Sequence, residues 1–342
     1  MNLIGKLNTQ AFSSRSAFST FPNGWFVVAL SKDIPPGKIR ALRYFGKDFI
    51  LFRTKNGTPH ILNAHCPHLG AHLGYGGRVE GEAIQCPFHG WKFGGNGQCI
   101  DVPYTNKIPP KAQIPTWLVH EVNGLILMYH HTENIPPQWN IPNISEYTSG
   151  EWTELRFLHQ WKVRTNIAEY GENSYDTAHF SFVHSKVFNY AKSEFLEVNG
   201  STLIHQISVN LKPSFAAKVL GVENEFPIKI TRYGSGYEIF HVSLKGKINI
   251  DWIYLFLTTP IDEEYIEVRL LFSMKTIVNQ AITSLIAKII NSDVKEAQDE
   301  DITIWENKIY CSDPILCDGD GPIMKYRRWV SQFYSDKLLI ND

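Results

Sequence analysis

The chain is expected to be α+β, with an N-terminal all-β domain followed by an α+β domain built on an antiparallel sheet and closed by a C-terminal helix. Three observations predict this. Short apolar segments separated by Pro/Gly turns fill residues 24–141. Longer alternating segments recur over 203–274, and a helical stretch covers 278–310. At 342 residues, 43% hydrophobic and 20% charged, the chain is long enough for two domains with cores.

In order, the first domain offers Trp25 to Leu30, Ile39 to Tyr44, Phe49 to Phe52, Ile61-Leu62, Ala83-Ile84 and Leu125 to Tyr129. They are divided by Pro35-Pro36-Gly37, Lys55-Asn56-Gly57, Gly76-Gly77 and Gly94-Gly95-Asn96-Gly97. The proline-rich run Ile135 to Pro142 marks the boundary, giving a flexible tail over 1–20, a first domain over 21–145 and a second over 146–342. The second domain begins with a strand-like segment, Trp152 to Trp161, and a mixed segment, Asn166 to His184. Strands follow at Leu203 to Leu211, Ile228 to Tyr233, Tyr237 to Leu244, Ile248 to Leu257 and Tyr265 to Met274, then the helical stretch Val278 to Tyr310.

Composition excludes some functions. A net charge of −1 gives no general attraction to nucleic acid or an anionic membrane. No apolar run reaches the ~18–20 residues of a transmembrane helix, so no transmembrane segment is expected. Five cysteines at irregular spacing do not read as a disulfide framework, which suits a reducing, cytoplasmic setting; Cys99, Cys311 and Cys317 are expected as free thiols, a Cys311–Cys317 pair being the alternative. Met1 to Thr20, with Lys6, Arg15 and no acidic residue, also fits an organelle import segment.

Two loops in the middle of the first domain carry chemistry: Cys66-Pro67-His68-Leu69-Gly70 and Cys86-Pro87-Phe88-His89-Gly90-Trp91. A Cys-x-His and a Cys-x-x-His pair, seventeen residues apart, supply the thiolates for one iron and the imidazoles for the other iron of a Rieske [2Fe–2S] cluster. The competing reading is a structural Cys2His2 zinc site. Zinc-finger histidines come as a terminal pair, whereas here each histidine follows a cysteine, and each pair sits in a Pro/Gly loop suited to clasping a cluster from opposite sides. His65 and His72 are read as ordinary loop histidines.

The mixed segment contains Asp176-Thr177-Ala178-His179 and then His184. Two histidines near an aspartate suit a 2-His-1-carboxylate iron site with positions open to O2, though alone the pattern is weak, and core histidines beside a buried aspartate would read alike. Five residues is not helical spacing, since side chains so placed diverge by about 140°. The helix must therefore end or distort between the two.

A Rieske-type pair followed about ninety residues later by this pattern resembles the Rieske non-haem iron oxygenase α subunits over nearly the whole chain. The resemblance is to the steroid-acting branch of 3-ketosteroid 9α-hydroxylase oxygenases and cholesterol 7-desaturases. Cys66-Pro-His-Leu-Gly-Ala-His-Leu73, Cys86-Pro-Phe-His-Gly-Trp-Lys-Phe93 and Val122-Asn-Gly124 are similar to the desaturases. Asp301 to Lys308, Pro314 to Cys317, Asp320-Gly-Pro322, Arg327-Arg-Trp329 and Gln332-Phe-Tyr334 are similar to the hydroxylases. Unlike animal desaturases of this type, the chain shows no N-terminal membrane segment.

The resemblance implies a terminal oxygenase component that passes electrons through a [2Fe–2S] cluster to a mononuclear Fe(II). It would use O2 to hydroxylate or desaturate an apolar steroid or sterol, drawing on NAD(P)H through a reductase, with or without a ferredoxin. It further implies a homo-oligomer, a trimer, in which Asp176 joins His89 of one chain to His179 of the next; helix capping is the simpler role for Asp176. The third iron ligand lies among Asp293, Glu296, Asp299, Glu300 and Asp301. On a helical wheel Asp301 shares a face with Val294, Ala297, Ile304 and Trp305, where a carboxylate is costly without a cation, and it aligns with the family's carboxylate ligand. Glu172 stands where several members have asparagine, and the sequence assigns it no role. Oxidative demethylation is adjacent chemistry. A Rieske electron carrier without oxygenase activity would need only about the first 140 residues.

Overall fold

A computed structural model of the chain describes residues 18, 20–212, 223–246, 248–292 and 294–335. Most of the expected 1–20 tail, and the candidate Asp293, lie outside them.

The strands are β1 (Gly24–Leu30), β2 (Ile39–Tyr44), β3 (Lys47–Arg53), β4 (Pro59–Asn63), β5 (Arg78–Glu80), β6 (Ala83–Gln85), β7 (Lys92–Gly94), β8 (Cys99–Asp101), β9 (Thr116–Trp117), β10 (Val119–Val122) and β11 (Leu125–His130), followed by β12 (Arg156–Val163), β13 (Phe188–Asn199), β14 (Thr202–Leu211), β15 (Glu225–Tyr233), β16 (Tyr237–Leu244), β17 (Ile250–Pro260) and β18 (Ile266–Met274). Three small antiparallel sheets, in the orders β1-β11-β10, β2-β3-β4-β9 and β5-β6-β7-β8, make the first domain. A seven-stranded sheet, β12-β18-β17-β16-β15-β14-β13, makes the second. The α+β architecture expected from the sequence is the one observed.

Strand β13 was not anticipated. Its side chains are mostly exposed or half-exposed, so no alternation of apolar and polar residues announces it. The expected helical stretch is two helices, α3 (Gln280–Ile290) and α4 (Val294–Asn307), after the short α1 (Ser145–Thr148) and α2 (Ile167–Glu172). Asn291 caps the end of α3, and its side chain bonds back to the Ala287 carbonyl. A further helix, α5 (Ile323–Val330), follows.

The proline-rich run does not separate two independent cores. Sheet β1-β11-β10 is buried on both faces: Phe26, Val28, Ile126 and Met128 pack with Val163, Ile167, Val268 and Trp305. On the other face Trp25, Val27 and Leu127 pack with Ile239, Ile253, Leu255 and Leu271. Each such side chain contributes about 1.5–3 kcal/mol. Thr259 Oγ1 and Arg269 Nη1 both donate to the Val27 carbonyl at 2.7 Å, tying β1 to the large sheet.

Candidate metal centres

Each Cys/His loop is a tight turn whose glycine closes it. The Gly70 N–H donates to the Cys66 carbonyl at 2.9 Å and the Gly90 N–H to that of Cys86 at 3.1 Å. These glycines have φ of 76° and 75°, the region where a Cβ is strained. At Gly90 a Cβ would also come within 3.0 Å of Pro103. The turns present Cys66 and Cys86 inward, both buried in a core with Leu62, Leu73, Ile84 and Phe93. His68 and His89 lie half-buried with ring centroids 4.6 Å apart, and His68 stacks on Trp91.

The chemistry of this set fits a two-iron cluster. Burial pushes the Cys66 thiol up to about 11, and the Cys86 thiol beside it adds to the shift, so a metal is needed to hold the thiolate. Nδ1 of His68 is buried without a hydrogen-bond partner among the described residues, a lone donor atom suited to a metal. Among the described residues, only His179, His184 and Asp301 bring three such ligand atoms within 4.8 Å of one another.

The second centre is assembled from α2, the turns after it, and α4. Asn166 caps α2 by accepting from the Glu169 N–H at 2.9 Å. The chain then tightens into single 3-10 turns, Asn173–Tyr175 and His179–Ser181. The helix thus ends before His179, which lets residues five apart converge. The ring centroids of His179 and His184 are 5.2 Å apart, and His184 Nε2 lies 3.3 Å from Asp301 Oδ2.

The far edge of each imidazole is held by an acceptor. His179 Nδ1 donates to the Asp176 main-chain carbonyl at 2.7 Å, and His184 Nδ1 to Glu300 Oε2 at 3.2 Å. These bonds place the protons on Nδ1 and leave both Nε2 atoms to serve as ligands, that of His184 beside Asp301 and that of His179 beside Asn173. Burial disfavours the His184 imidazolium, but Asp301 and Glu300 outweigh it and raise its pKa. Two imidazoles and one carboxylate, with positions left open, suit non-haem Fe(II).

Several expectations are refined. Glu300 faces the opposite ring edge of His184 from Asp301, so the two neighbouring acids divide the work. Asp299 accepts from Trp161 Nε1 at 2.9 Å and pairs with Lys295, and Glu296 pairs with Lys186, both outside the site. On α4 the buried positions are Gln298, Asp301 and Trp305. Ile304, expected on that face, is exposed, and Gln298, a polar residue that an apolar stripe passes over, replaces it.

Asp176 Oδ1 accepts from the Ala178 and His179 N–H groups at 3.0 and 3.3 Å, the capping role, while Oδ2 stands 3.8 Å from His179 Nδ1. The shorter contact to the His179 ring is therefore that of the Asp176 main-chain carbonyl, with the carboxylate oxygen Oδ2 standing farther off. Those N–H groups and the His179 side chain outweigh burial and hold the Asp176 carboxyl below its usual range. Glu172 points away from the site to Arg327 of α5, at 2.5 and 3.1 Å. Asn173 was missed: its Nδ2 lies 3.1 Å from Asp301 Oδ2 and 3.4 Å from His179 Nε2. No spacing rule marks a lone asparagine.

Beside this centre is a cavity walled by Phe180, Phe188, Phe240, Phe256, Val294 and Trp305, with Gln298 and Glu238 among the polar residues. Glu238 is buried and paired with Arg232 at 2.7 Å, and it accepts from Ser174 at 3.0 Å.

Residues 24–117 match the Rieske [2Fe-2S] domain family, and residues 128–334 match the 3-ketosteroid 9alpha-hydroxylase C-terminal domain family. Cholesterol 7-desaturase nvd 1 of Ciona intestinalis is 31% identical over 334 residues, 92% of this chain and 69% of that protein. A 3-ketosteroid-9-alpha-monooxygenase oxygenase component of Rhodococcus rhodochrous is 30% identical over 322 residues, 92% of this chain and 83% of that one. Among solved structures, dicamba monooxygenase bound to dicamba superposes with a TM-score of 0.74 at 18% identity, covering 92% of this chain and 98% of that one. Pseudomonas putida CBB5 NdmA gives 0.71 at 18% identity, covering 90% and 89%. At such identity the structures show a shared fold.

The fold and the two centres are those of a Rieske-type non-haem iron oxygenase. The chain belongs to that family and carries a catalytic domain of the 3-ketosteroid 9α-hydroxylase type. Its cofactors are a Rieske [2Fe–2S] cluster and a mononuclear iron, with O2 as co-substrate and NAD(P)H supplying electrons through partners. Among the described residues no helix is long and apolar enough to cross a membrane.

Proposed function

We propose that Cys66, His68, Cys86 and His89 hold the [2Fe–2S] cluster, that His179, His184 and Asp301 hold the iron, and that the substrate is a steroid or sterol that is hydroxylated or desaturated. The observation that carries this is the convergence of His179, His184 and Asp301 beside an aromatic-walled cavity. Two of its relatives are named for steroid substrates, which supports the substrate class.

When bound, the iron supplies O2 activation; the protein supplies geometry, proton placement and a dry cavity. Asp176 and Glu300 orient the two imidazoles through Nδ1. Asn173 donates to Asp301 and steadies the carboxylate. The phenylalanines and Trp305 exclude water and take up an apolar substrate.

Electrons come from a separate reductase, with or without a ferredoxin. The His68/His89 edge is the half-exposed side of the cluster, flanked by exposed Leu69 and Phe88, which suits close approach of another protein surface. We place the chain in a homotrimer in which the Asp176 carboxylate, one oxygen of which is free of the capping bonds, reaches His89 of the next subunit. A cytoplasmic location suits cysteines none of which is paired in a disulfide among the described residues.

The test has two parts. Metal and sulfide analysis should find two sulfide-bridged irons and one mononuclear iron per chain; one zinc without acid-labile sulfide would remove the cluster assignment. Mass spectrometry of products from a sterol and ketosteroid panel, with a reductase supplied, should show an oxygenated or dehydrogenated steroid. Silence across the panel from fully loaded, reducible protein would remove the substrate class, and formaldehyde release would favour demethylation.

A further inference from the structure

We infer that Gln298 is a specificity-determining residue whose side-chain amide donates a hydrogen bond to an acceptor oxygen on the substrate, close to the carbon that is oxidised. The inference rests on the apolar-substrate reading above and adds to it a polar anchor and its position.

Gln298 is 7% exposed, and its Nε2 has no contact with solvent and no hydrogen-bond partner among the described residues. It lines the same cavity as His179, His184 and Asp301. Buried amides are almost always paired, and Nε2 can only donate, so what it lacks is an acceptor. Of the walls around it, Val294, Ala297, Phe240, Phe256 and Trp305 present carbon or, for the indole, a donor, and no oxygen of Tyr170, Asn173 or Ser174 accepts from Nε2. Glu238, the carboxylate in the wall, has its oxygens engaged by Arg232 and Ser174. The missing acceptor therefore belongs to whatever fills the cavity. An apolar site with one unmatched donor binds an apolar molecule carrying one matching oxygen and discriminates against the molecule without it.

Helix geometry places that oxygen. Gln298 and Asp301 are three residues apart on α4, on one face, with Cβ atoms about 5–6 Å apart. The acceptor oxygen thus sits on the same flank of the substrate as the oxidised carbon, not at the opposite end of an elongated molecule.

Equilibrium dialysis with holoprotein loaded at both metal centres tests this. The probes are 5α-androstane, its 3-ketone and its 17-ketone, together with 2-ethylnaphthalene and 2-acetylnaphthalene. The parent protein should bind a ketone roughly tenfold more tightly than its hydrocarbon, the scale of one added neutral hydrogen bond. In Gln298→Leu the preference should shrink to within about twofold, with hydrocarbon binding unchanged or tighter. Absence of a ketone preference in the parent, or its persistence in Gln298→Leu, overturns the inference. If the parent binds no steroid, the steroid reading fails by itself and the naphthalene pair still reports on Gln298. A purely structural role is separated by thermal melts of Gln298→Met, which removes the unmatched amide at similar volume. The melting temperature should hold or rise, and a fall of several degrees overturns the inference whatever the binding result.

Discussion

Glu300→Gln tests how the iron site divides its two adjacent acids. The Glu300 carboxylate meets His184 Nδ1 at 3.2 Å while Asp301 Oδ2 faces Nε2 at 3.3 Å, so one acid orients the ring and the other shares its metal-facing side. Removing the acceptor behind a ligating imidazole costs about 10–100-fold in metal affinity, or about 1.4–2.7 kcal/mol. Glu300 is partly exposed and shared with Lys186 at 3.4 Å, and glutamine keeps an acceptor oxygen. The expected loss is therefore near the lower bound, about tenfold, and Glu300→Ala should lose more. Asp301→Ala removes a donor atom outright and should empty the site. Asp299→Ala, which breaks only the Trp161 and Lys295 contacts, should keep its iron at a stability cost of about 1 kcal/mol or less. The assay is iron retained after dialysis against graded chelator, with the cluster absorption as an internal control. An empty site in Glu300→Ala together with a full one in Asp301→Ala would refute the reasoning and exchange the two roles.

Asp176→Asn should keep both metals yet transfer electrons to the iron far more slowly, because the bond that orients His179 comes from the main chain and survives; near-normal single-turnover rates on pre-reduced protein would end the bridging role. His130, buried with its Nδ1 on the Pro22 carbonyl, has its pKa lowered to about 4 by burial, so the native protein keeps it neutral while the unfolded chain takes a proton below about 6.5. Stability should fall as pH drops from about 6.5 towards 4, by about 2 kcal/mol at pH 5 from this group. Urea titrations at pH 7 and 5 should show His130→Asn losing that much less than the parent, and equal losses would refute it. Glu238→Ala leaves the Arg232 guanidinium buried without its counter-charge and should cost about 3–5 kcal/mol, much of it restored when Arg232 is also made apolar; a cost under about 1 kcal/mol would show that the pair is not sealed from solvent.

The proposed cluster ligands stand out in the sequence because their information is local. Each loop carries its cysteine, its histidine and the glycine that closes the turn within five residues, so composition and spacing declare the chemistry before folding. The large-sheet strands from β14 to β18 were legible for a similar reason, since burial alternates along much of β14 and β15 and is nearly unbroken along β18. Even the burial of Asp301 beside the two histidines could be anticipated, because helix periodicity ranks neighbouring acids by face.

What only tertiary structure decided are relations between distant segments. Nothing near Glu172 in sequence reveals Arg327, its partner 155 residues away, and nothing near Glu300 reveals His184. Asn173 and Gln298 carry no motif, and each matters only because folding sets one against the metal ligands and buries the other's amide without an acceptor. That the two parts share a core was also not legible at the proline run, because a linker is marked by local backbone chemistry whereas a shared core depends on which faces the β1-β11-β10 sheet finds to cover it. Local backbone preference and periodic burial are written residue by residue; the pairing of side chains across the fold exists only once the chain has collapsed.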